Sequence, residues 1–224
     1  ALLDVIDRHE PLRTIILNVE GEPVGFVQAL DLTAQLLVVD DFSKLEAVAC
    51  TQALDRLIQS DSIRPFDLSE GLMMRARIIK LKPHEHVFIL VMHHIAGDGV
   101  SMGVFCHELT QAYRARISHT APDFAPLAIS YADHAAWQRA WLEDSGELST
   151  QRQSWQRQLS GIPERLTLPT DYPRDAKRSR AAGYLPLELS AQVVTQLQDL
   201  ANQHQTTLFT VIVALYGSLL GRLA

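Results

Sequence analysis

The chain has 224 residues, of which 47% are hydrophobic and 21% charged, and its formal net charge is −6. This is the composition of a globular chain with a sizeable core, and it excludes disordered, collagen-like and coiled-coil classes. The acidic balance argues against nucleic-acid binding, which usually needs a basic face. No apolar run reaches about 18 residues, so we expect no membrane span.

Cysteine usage favours a cytoplasmic location. Cys50 and Cys106 lie in helix-like patterns, and we expect two buried thiols in a reducing compartment rather than a disulfide scaffold. No signal-peptide pattern is visible at the N-terminus. The chain lacks an initiator Met and begins and ends within amphipathic runs, so we expect it to be a piece of a longer protein.

The first third of the chain predicts a helix followed by strands. Residues 2–9 predict the end of a helix, because a proline follows closely. Residues 14–19 and 24–28 flank a Glu-Gly-Glu-Pro turn and predict a hairpin, and residues 36–39 predict a short strand. A capping box at Ser43-Lys44-Leu45-Glu46 predicts the next helix start.

Two further strands are predicted at residues 72–81 and 86–93. The second is almost continuously apolar, which is typical of a strand covered on both faces. A helix is predicted from about Ser101, and we interpret Ser101 as the cap of that helix. Further helices are predicted at 131–142, 148–159, 191–201 and 208–223, and a strand is predicted at 183–189. This order of elements predicts an α/β or α+β fold with a mixed sheet flanked by helices.

The densest cluster of reactive side chains is His93-His94-Ile95-Ala96-Gly97-Asp98-Gly99. It lies where a strand ends and a turn leads into a helix, which is where ligands tend to bind in open sheets. Because side chains alternate along a strand, His93 and His94 point to opposite faces, and only one faces a cleft. No Cys or Glu completes a zinc-site spacing, so we expect no metal.

This cluster resembles the active-site motif of condensation domains of nonribosomal peptide synthetases, in the chloramphenicol acetyltransferase-like superfamily. Four other stretches resemble motifs of that family, in the same order, so that the resemblance covers essentially the whole chain. They are Arg8-His9-Glu10-Pro11-Leu12-Arg13-Thr14, Pro65-Phe66-Asp67-Leu68 with the following Leu72-Met73-Met74-Arg75-Ala76-Arg77, Tyr131-Ala132-Asp133 with Trp137-Gln138-Arg139, and Leu168-Pro169-Thr170-Asp171-Tyr172-Pro173-Arg174.

The resemblance implies a chloramphenicol acetyltransferase-like lobe, one half of a V-shaped pseudo-dimer with the active site between its halves. Residues 1–167 would be the N-terminal lobe without its start, residues 168–182 a Pro- and charge-rich linker, and residues 183–224 the truncated start of the C-terminal lobe. The implied reaction is peptide-bond formation, in which an acceptor α-amine attacks a donor thioester. The implied partners are the donor and acceptor carrier domains, which supply phosphopantetheine arms, an adjacent adenylation domain and the C-terminal lobe; the domain itself would bind no cofactor.

The resemblance also implies residue roles. His94 would act as a base or position the amine, and both roles remain open. Gly99 would let the backbone approach the reacting centre, and its N–H would stabilise the oxyanion. His93 would be structural. Asp98 would pair with an arginine and hold the loop, with Arg13 and Arg8 as the candidates and Arg75 or Arg77 as the alternatives.

Three other functions remain open on the same fold. Val100 stands where many condensation domains carry Trp, and Gly-Val-Ser also occurs in related epimerization domains. A stand-alone O-acyltransferase would show an acyl pocket and an alcohol acceptor. A non-catalytic recruitment module would need neither His94 nor Asp98, so their presence argues against it.

We predict that the 224-residue chain alone forms no amide, because half of the implied channel wall would be absent. The measurement is amide formation by the isolated chain with carrier-bound donor and acceptor. Product above the level of a protein-free reaction would contradict this.

Overall fold

The protein is described from a computed structural model, which covers residues 1–30, 36–172, 183 and 185–224. The chain divides into two compact units, Ala1–Leu148 and Ser149–Ala224. The described elements, in chain order, are α1 (Leu2–Arg8), a 3₁₀ turn (Glu10–Arg13), β1 (Thr14–Val19), β2 (Glu22–Val27), β3 (Leu37–Asp41), α2 (Ala47–Ile63), β4 (Met74–Lys82), β5 (Glu85–Met92), α3 (Gly99–Ile117), α4 (Tyr131–Asp144), α5 (Glu147–Gln158), α6 (Ala191–Gln203) and α7 (Leu208–Leu223).

The predicted hairpin is confirmed. Strands β1 and β2 pair antiparallel, and the turn consists of Glu20 and Gly21, which both have positive φ angles of 53° and 95°. Two such residues give the turn geometry whose twist matches that of the flanking strands. The Asn18 side chain accepts the N–H of Gly21 at 2.8 Å, which fixes the start of the turn.

The predicted mixed sheet is also confirmed. Its order is β3-β4-β5, with β3 parallel and β5 antiparallel to β4. Met74 and Ala76 of β4 belong to the same buried cluster as Ile6 of α1 and Phe105 of α3. The opposite side of the strand carries Arg77, which bonds to α2. Strand β4 therefore lies between helices on both of its faces.

The expectation that β5 is covered on both faces is wrong. None of its residues is fully buried, and Phe88 is 43% exposed. The buried strand is β4, which has three buried residues and a neighbour on each side. An apolar run shows that a strand can be buried, but its place in the sheet order depends on pairing with distant segments.

Two local expectations about the α2 region and the thiols are also wrong. Helix α2 begins at Ala47, and Ser43 instead donates its N–H and hydroxyl to Asp41 at 2.9 and 2.5 Å. A carboxylate two residues before the serine competes for the groups that the capping box would use. Cys50 is partly buried and Cys106 is exposed, because Cys106 lies on the outer side of α3.

The second unit contains the helices α6 and α7, whose first turns are capped by Ser190 and Thr207. Residues 185–189 form no strand, so the strand predicted at 183–189 is wrong over those residues. Of the linker predicted at 168–182, residues 173–182 lie outside the described residues. Within the described chain no single helix has the length and apolarity to cross a membrane; α6 and α7 meet these criteria only as a pair bent by 104°.

Arg77 joins three elements of the first unit. Its guanidinium bonds to Asp61 of α2 at 2.7 Å and to Asp40 of β3 at 2.5 Å. The hydrogen bond to Asp61 raises the pKa of Arg77 above its usual value, and the bond to Asp40 adds to this. All three side chains are largely shielded from water, so we expect the cluster to contribute to stability.

We predict that Asp61→Ala lowers the free energy of unfolding by about 1–3 kcal/mol, because it leaves a shielded cation with a missing partner. Urea denaturation followed by circular dichroism measures this. Lys82→Ala, which removes the exposed pair with Glu85, is the control and should change stability far less. Equal losses in both variants would contradict the prediction.

Candidate functional site

A cleft of about 760 Å³ lies within the first unit. One wall is formed by residues 8–12, a second by the end of β5 and the start of α3, and a third by residues 127–134. The first two walls come from segments far apart in sequence, which the buried cluster around β4 brings together. The cleft is therefore a product of the tertiary fold rather than of one motif.

The two adjacent histidines at the end of β5 have different surroundings. His94 is exposed and lines the cleft. His93 does not line it; its ring meets Phe66 edge-on with centroids 5.6 Å apart, and its Nδ1 accepts the N–H of Ile95 at 3.0 Å. The expected difference between the two side chains is found, but β5 ends at Met92, so the difference arises in the loop after the strand rather than within it. It leaves His94 as the histidine of the pair that can meet a ligand.

Asp98 begins helix α3. Its carboxylate accepts the N–H of Ser101 at 2.9 Å and the Ser101 hydroxyl at 2.8 Å. The backbone hydrogen bond from Ser101, followed by the hydroxyl bond, lowers the pKa of Asp98 below its usual value. Asp98 is therefore the cap, and the expectation that Ser101 is the cap is wrong, because the hydroxyl of Ser101 is committed to Asp98.

The expected ion pair between Asp98 and an arginine is not found among the described residues. Arg8 bonds to Glu108, Arg13 donates to the carbonyls of Gln28 and Asp7, Arg75 donates to the carbonyls of Pro65 and Arg64, and Arg77 bonds to Asp40 and Asp61. Each candidate arginine is hydrogen-bonded to residues other than Asp98. The loop around Asp98 is instead held by the local bonds to Ser101.

Two glycines of the motif differ in how tightly they are packed. A Cβ atom on Gly97 would lie 2.6 Å from the sulfur of Met92 and 3.1 Å from the Cβ of Ser101. A Cβ atom on Gly99 would meet nothing within 4 Å. In this structure the close packing therefore falls on Gly97, and the described residues impose no steric need for glycine at position 99.

A buried carboxylate behind the cleft wall was missed by the reasoning from sequence. Glu108 of α3 bonds to Arg8 Nε at 3.0 Å and to His9 Nε2 at 2.5 Å. Burial raises the pKa of Glu108, but the bonds from His9 and Arg8 outweigh it, and the net pKa is lowered. The sequence did contain a signal for the burial of Glu108, because this residue lies on the apolar helix face defined by Phe105 and Ala112.

A row of aromatic rings follows the start of α4. Tyr131 and His134 line the cleft, with ring centroids 6.3 Å apart. Trp137 and Trp141 continue the row and stack nearly parallel, with centroids 6.0 Å apart. Ser130 and Asp133 cap the helix reciprocally. The third wall of the cleft therefore starts at a well-defined helix terminus.

In the described part of the chain no three His, Cys, Asp or Glu side chains are grouped so that they could hold a metal ion.

The family model of the condensation domain matches residues 1–224. The chain belongs to the condensation-domain family. It is 36% identical over 217 residues to malpibaldin synthetase of Mortierella alpina and 37% identical over 219 residues to a linear gramicidin synthase of Brevibacillus parabrevis, covering 97% of this chain in each case. The homologous proteins are nonribosomal peptide synthetases, and condensation domains are enzymes of the acyltransferase type.

Solved structures agree with this assignment. The X-domain from teicoplanin biosynthesis matches with a TM-score of 0.83 and 30% identity, covering 100% of this chain and 48% of that chain. The condensation domain of the enacyloxin polyketide synthase matches at a TM-score of 0.70 and 25% identity, covering 99% of this chain and 42% of that chain. An epimerization domain of tyrocidine synthetase shares the fold at 22% identity and a TM-score of 0.63, covering 77% of this chain and 38% of that chain. The chloramphenicol acetyltransferase-like lobe that the resemblance implied is therefore confirmed.

This condensation domain spans only part of the length of its relatives. It covers 4% of malpibaldin synthetase, 4% of the gramicidin synthase and about half of the X-domain chain. The family works with carrier and adenylation domains, and the carriers bring phosphopantetheine. The lobe boundaries expected at residues 167 and 182 remain predictions.

We predict that Gly97→Ala lowers the free energy of unfolding by about 1–3 kcal/mol, because the added methyl group overpacks the contact with Met92 and Ser101. Gly99→Ala is the matched control and should not lower stability, since space is open there and Gly99 is the first residue of α3. Urea denaturation of both variants is the measurement. A Gly99→Ala variant that is as unstable as Gly97→Ala would contradict the assignment of close packing to Gly97.

Proposed function

We propose that this condensation domain forms an amide bond between a donor acyl thioester and the α-amine of an acceptor, both attached to carrier domains. The observation that supports this most is the position of His94, which is exposed in the turn after β5 and lines a cleft of about 760 Å³. An imidazole at that position can reach a substrate that enters the cleft. Membership of the condensation-domain family supplies the reaction class.

His94 would manage the proton of the attacking amine. An α-amine has a pKa near 7.7–8.0, so a useful fraction is already neutral at pH 7. After attack on the thioester carbon, the nitrogen of the tetrahedral intermediate carries a positive charge and must lose a proton. The imidazole accepts that proton and can return it to the departing thiolate. In the other role left open, His94 positions the amine and the proton leaves by another route.

The start of α3 would stabilise the negative charge that develops on the thioester oxygen during attack. Asp98 caps the helix, which places the backbone N–H of Gly99 in its first turn. Free N–H groups at a helix N-terminus favour negative charge, so the Gly99 N–H is suited to an oxyanion. His93, Asp98, Arg13 and Arg8 would then be structural residues that hold the walls of the site.

The partners of the reaction would come from outside this chain. Donor and acceptor carrier domains would bring the substrates on phosphopantetheine arms, while the domain itself binds no cofactor. An adjacent adenylation domain would select the amino acid, and a second lobe would complete the channel. We place this machinery in the cytoplasm, with residues 168–182 as the connection between lobes.

A recruitment module is the second candidate. The X-domain from teicoplanin biosynthesis has been solved in a complex with OxyB, and that X-domain matches this chain at 29% identity with a TM-score of 0.81. A domain of this fold can thus serve as a docking platform. The presence of His94 in an open cleft supports catalysis here, because docking requires no exposed imidazole at that place.

The test uses the full-length gene product with its matched donor and acceptor carriers. We predict that His94→Ala lowers the rate of amide formation by about 10²–10⁴-fold, the usual contribution of a general acid–base group. His86→Ala, an exposed histidine of β5 outside the cleft lining, is the control and should retain the rate. Peptide is quantified by mass spectrometry.

Four outcomes would contradict the proposal in different ways. An active wild type with an unchanged His94→Ala variant would remove the enzymatic role of His94. A wild type that forms no amide but binds a second enzyme would favour the recruitment module. Inversion of the donor residue in place of amide formation would favour an epimerization domain, and acyl transfer to an alcohol would favour an O-acyltransferase.

A further inference from the structure

Three imidazoles line the cleft, and their polar partners differ. In the described part of the chain, His94 has no hydrogen-bond partner for its ring. His134 stacks against Tyr131. His9 is the one that meets a carboxylate, since its Nε2 lies 2.5 Å from Glu108. A carboxylate on one imidazole nitrogen fixes the orientation of the ring and determines which nitrogen is free.

The contact with Glu108 determines which nitrogen of a neutral His9 ring carries the proton. Both carboxylate oxygens are occupied, one by Arg8 Nε at 3.0 Å and the other by His9 Nε2. An ionised carboxylate only accepts hydrogen bonds, so Nε2 must carry a proton. When the ring is neutral, Nδ1 is therefore the acceptor nitrogen. No described residue bonds to Nδ1, and the side chain is 24% exposed, so Nδ1 is the polar atom that His9 can offer to a ligand.

We propose that His9, oriented by Glu108, is a substrate-positioning residue whose Nδ1 accepts a hydrogen bond from an N–H of the attacking amine. This inference rests on the proposed amide-forming function and adds a residue to it. Holding one N–H of the amine restricts the direction of the nitrogen lone pair. Alignment of that lone pair with the thioester carbon accelerates attack. His9 forms no covalent bond and takes no net proton.

A purely structural role is the competing explanation. Glu108 joins α3 to the C-terminal end of α1, and His9 contributes one of the two bonds. Arg8 supplies the other bond and also lies over the ring of Phe124, at 5.0 Å from the ring centroid. The contact between α1 and α3 therefore keeps a permanent cation, Arg8, when His9 is replaced. The substitution His9→Gln separates the two roles, because glutamine keeps an N–H for Glu108 but has no acceptor at the place of Nδ1.

The first experiment compares His9→Gln with His107→Gln in the full-length gene product with matched carriers. His107 is the control, because it lies next to Glu108 on the exposed side of α3 and outside the cleft lining. We expect kcat/KM for the acceptor to fall about tenfold in His9→Gln, the value of one hydrogen bond, with the unfolding midpoint unchanged. The control should match the wild type. A His9→Gln variant with the wild-type kcat/KM would overturn the inference.

The second experiment keeps the inference testable if the substitution disturbs folding. Without donor, the acceptor carrier is titrated in two forms, one loaded with its amino acid and one with the same acid lacking the α-amine. We expect the wild type and His107→Gln to prefer the amine-bearing form, and His9→Gln to lose that preference. A preference that survives in His9→Gln, or that is absent from the wild type, would overturn the inference.

The two experiments distinguish this inference from the proposed function. A wild type that forms no amide refutes the proposed function, and the binding comparison then decides the role of His9 alone. A wild type that forms amide at the same rate as His9→Gln leaves the proposed function intact and refutes only the positioning role.

Discussion

Glu108 lies behind the cleft wall, where its two oxygens accept hydrogen bonds from neighbouring residues of the opposite segment. The carboxylate is on α3, Arg8 is the last residue of α1 and His9 follows it, so one side chain joins the two walls. A buried carboxylate tolerates this position because both oxygens have donors, one of them a permanent cation. The place of the His94 loop relative to residues 8–12 depends on this contact, since α3 begins directly after that loop.

Neighbouring residues of the motif at 93–99 have different structural roles. His93 and its partners Phe66 and Ile95 close the strand end, and Asp98 fixes the first turn of α3. His94 lies between them without a ring partner in the described chain. A rigid frame around one unoccupied imidazole is the arrangement expected where a side chain serves a ligand rather than the fold.

Local patterns in the sequence were sufficient for most elements. The hairpin at Glu20 and Gly21, the strands β4 and β5 and the helices α3 to α7 follow from turn residues and apolar periodicity. The different surroundings of His93 and His94 were expected from strand alternation, although both residues lie in the loop after β5. The order of the motifs also indicated the family, because five short motifs in the family's order are far more specific than any one of them.

Partners at long range could not be predicted in this way. The sequence offers several arginines for Asp98, and only the folded chain shows that Arg8 turns to Glu108 and Arg13 to backbone carbonyls. The capping box at Ser43 failed because Asp41, two residues earlier, competes for the same groups. The burial of β4 in place of β5 depends on strand order, which apolar runs do not encode.

The tight contact at Gly97 links the evolutionary histories of two positions. The sulfur of Met92 occupies the space that a side chain at position 97 would need. A lineage that acquires alanine at 97 must therefore move or shorten the side chain at 92, or tolerate a displaced loop. Covariation between these two columns, with glycine paired to long residues and alanine to short ones, is the trace that such a constraint leaves among descendants.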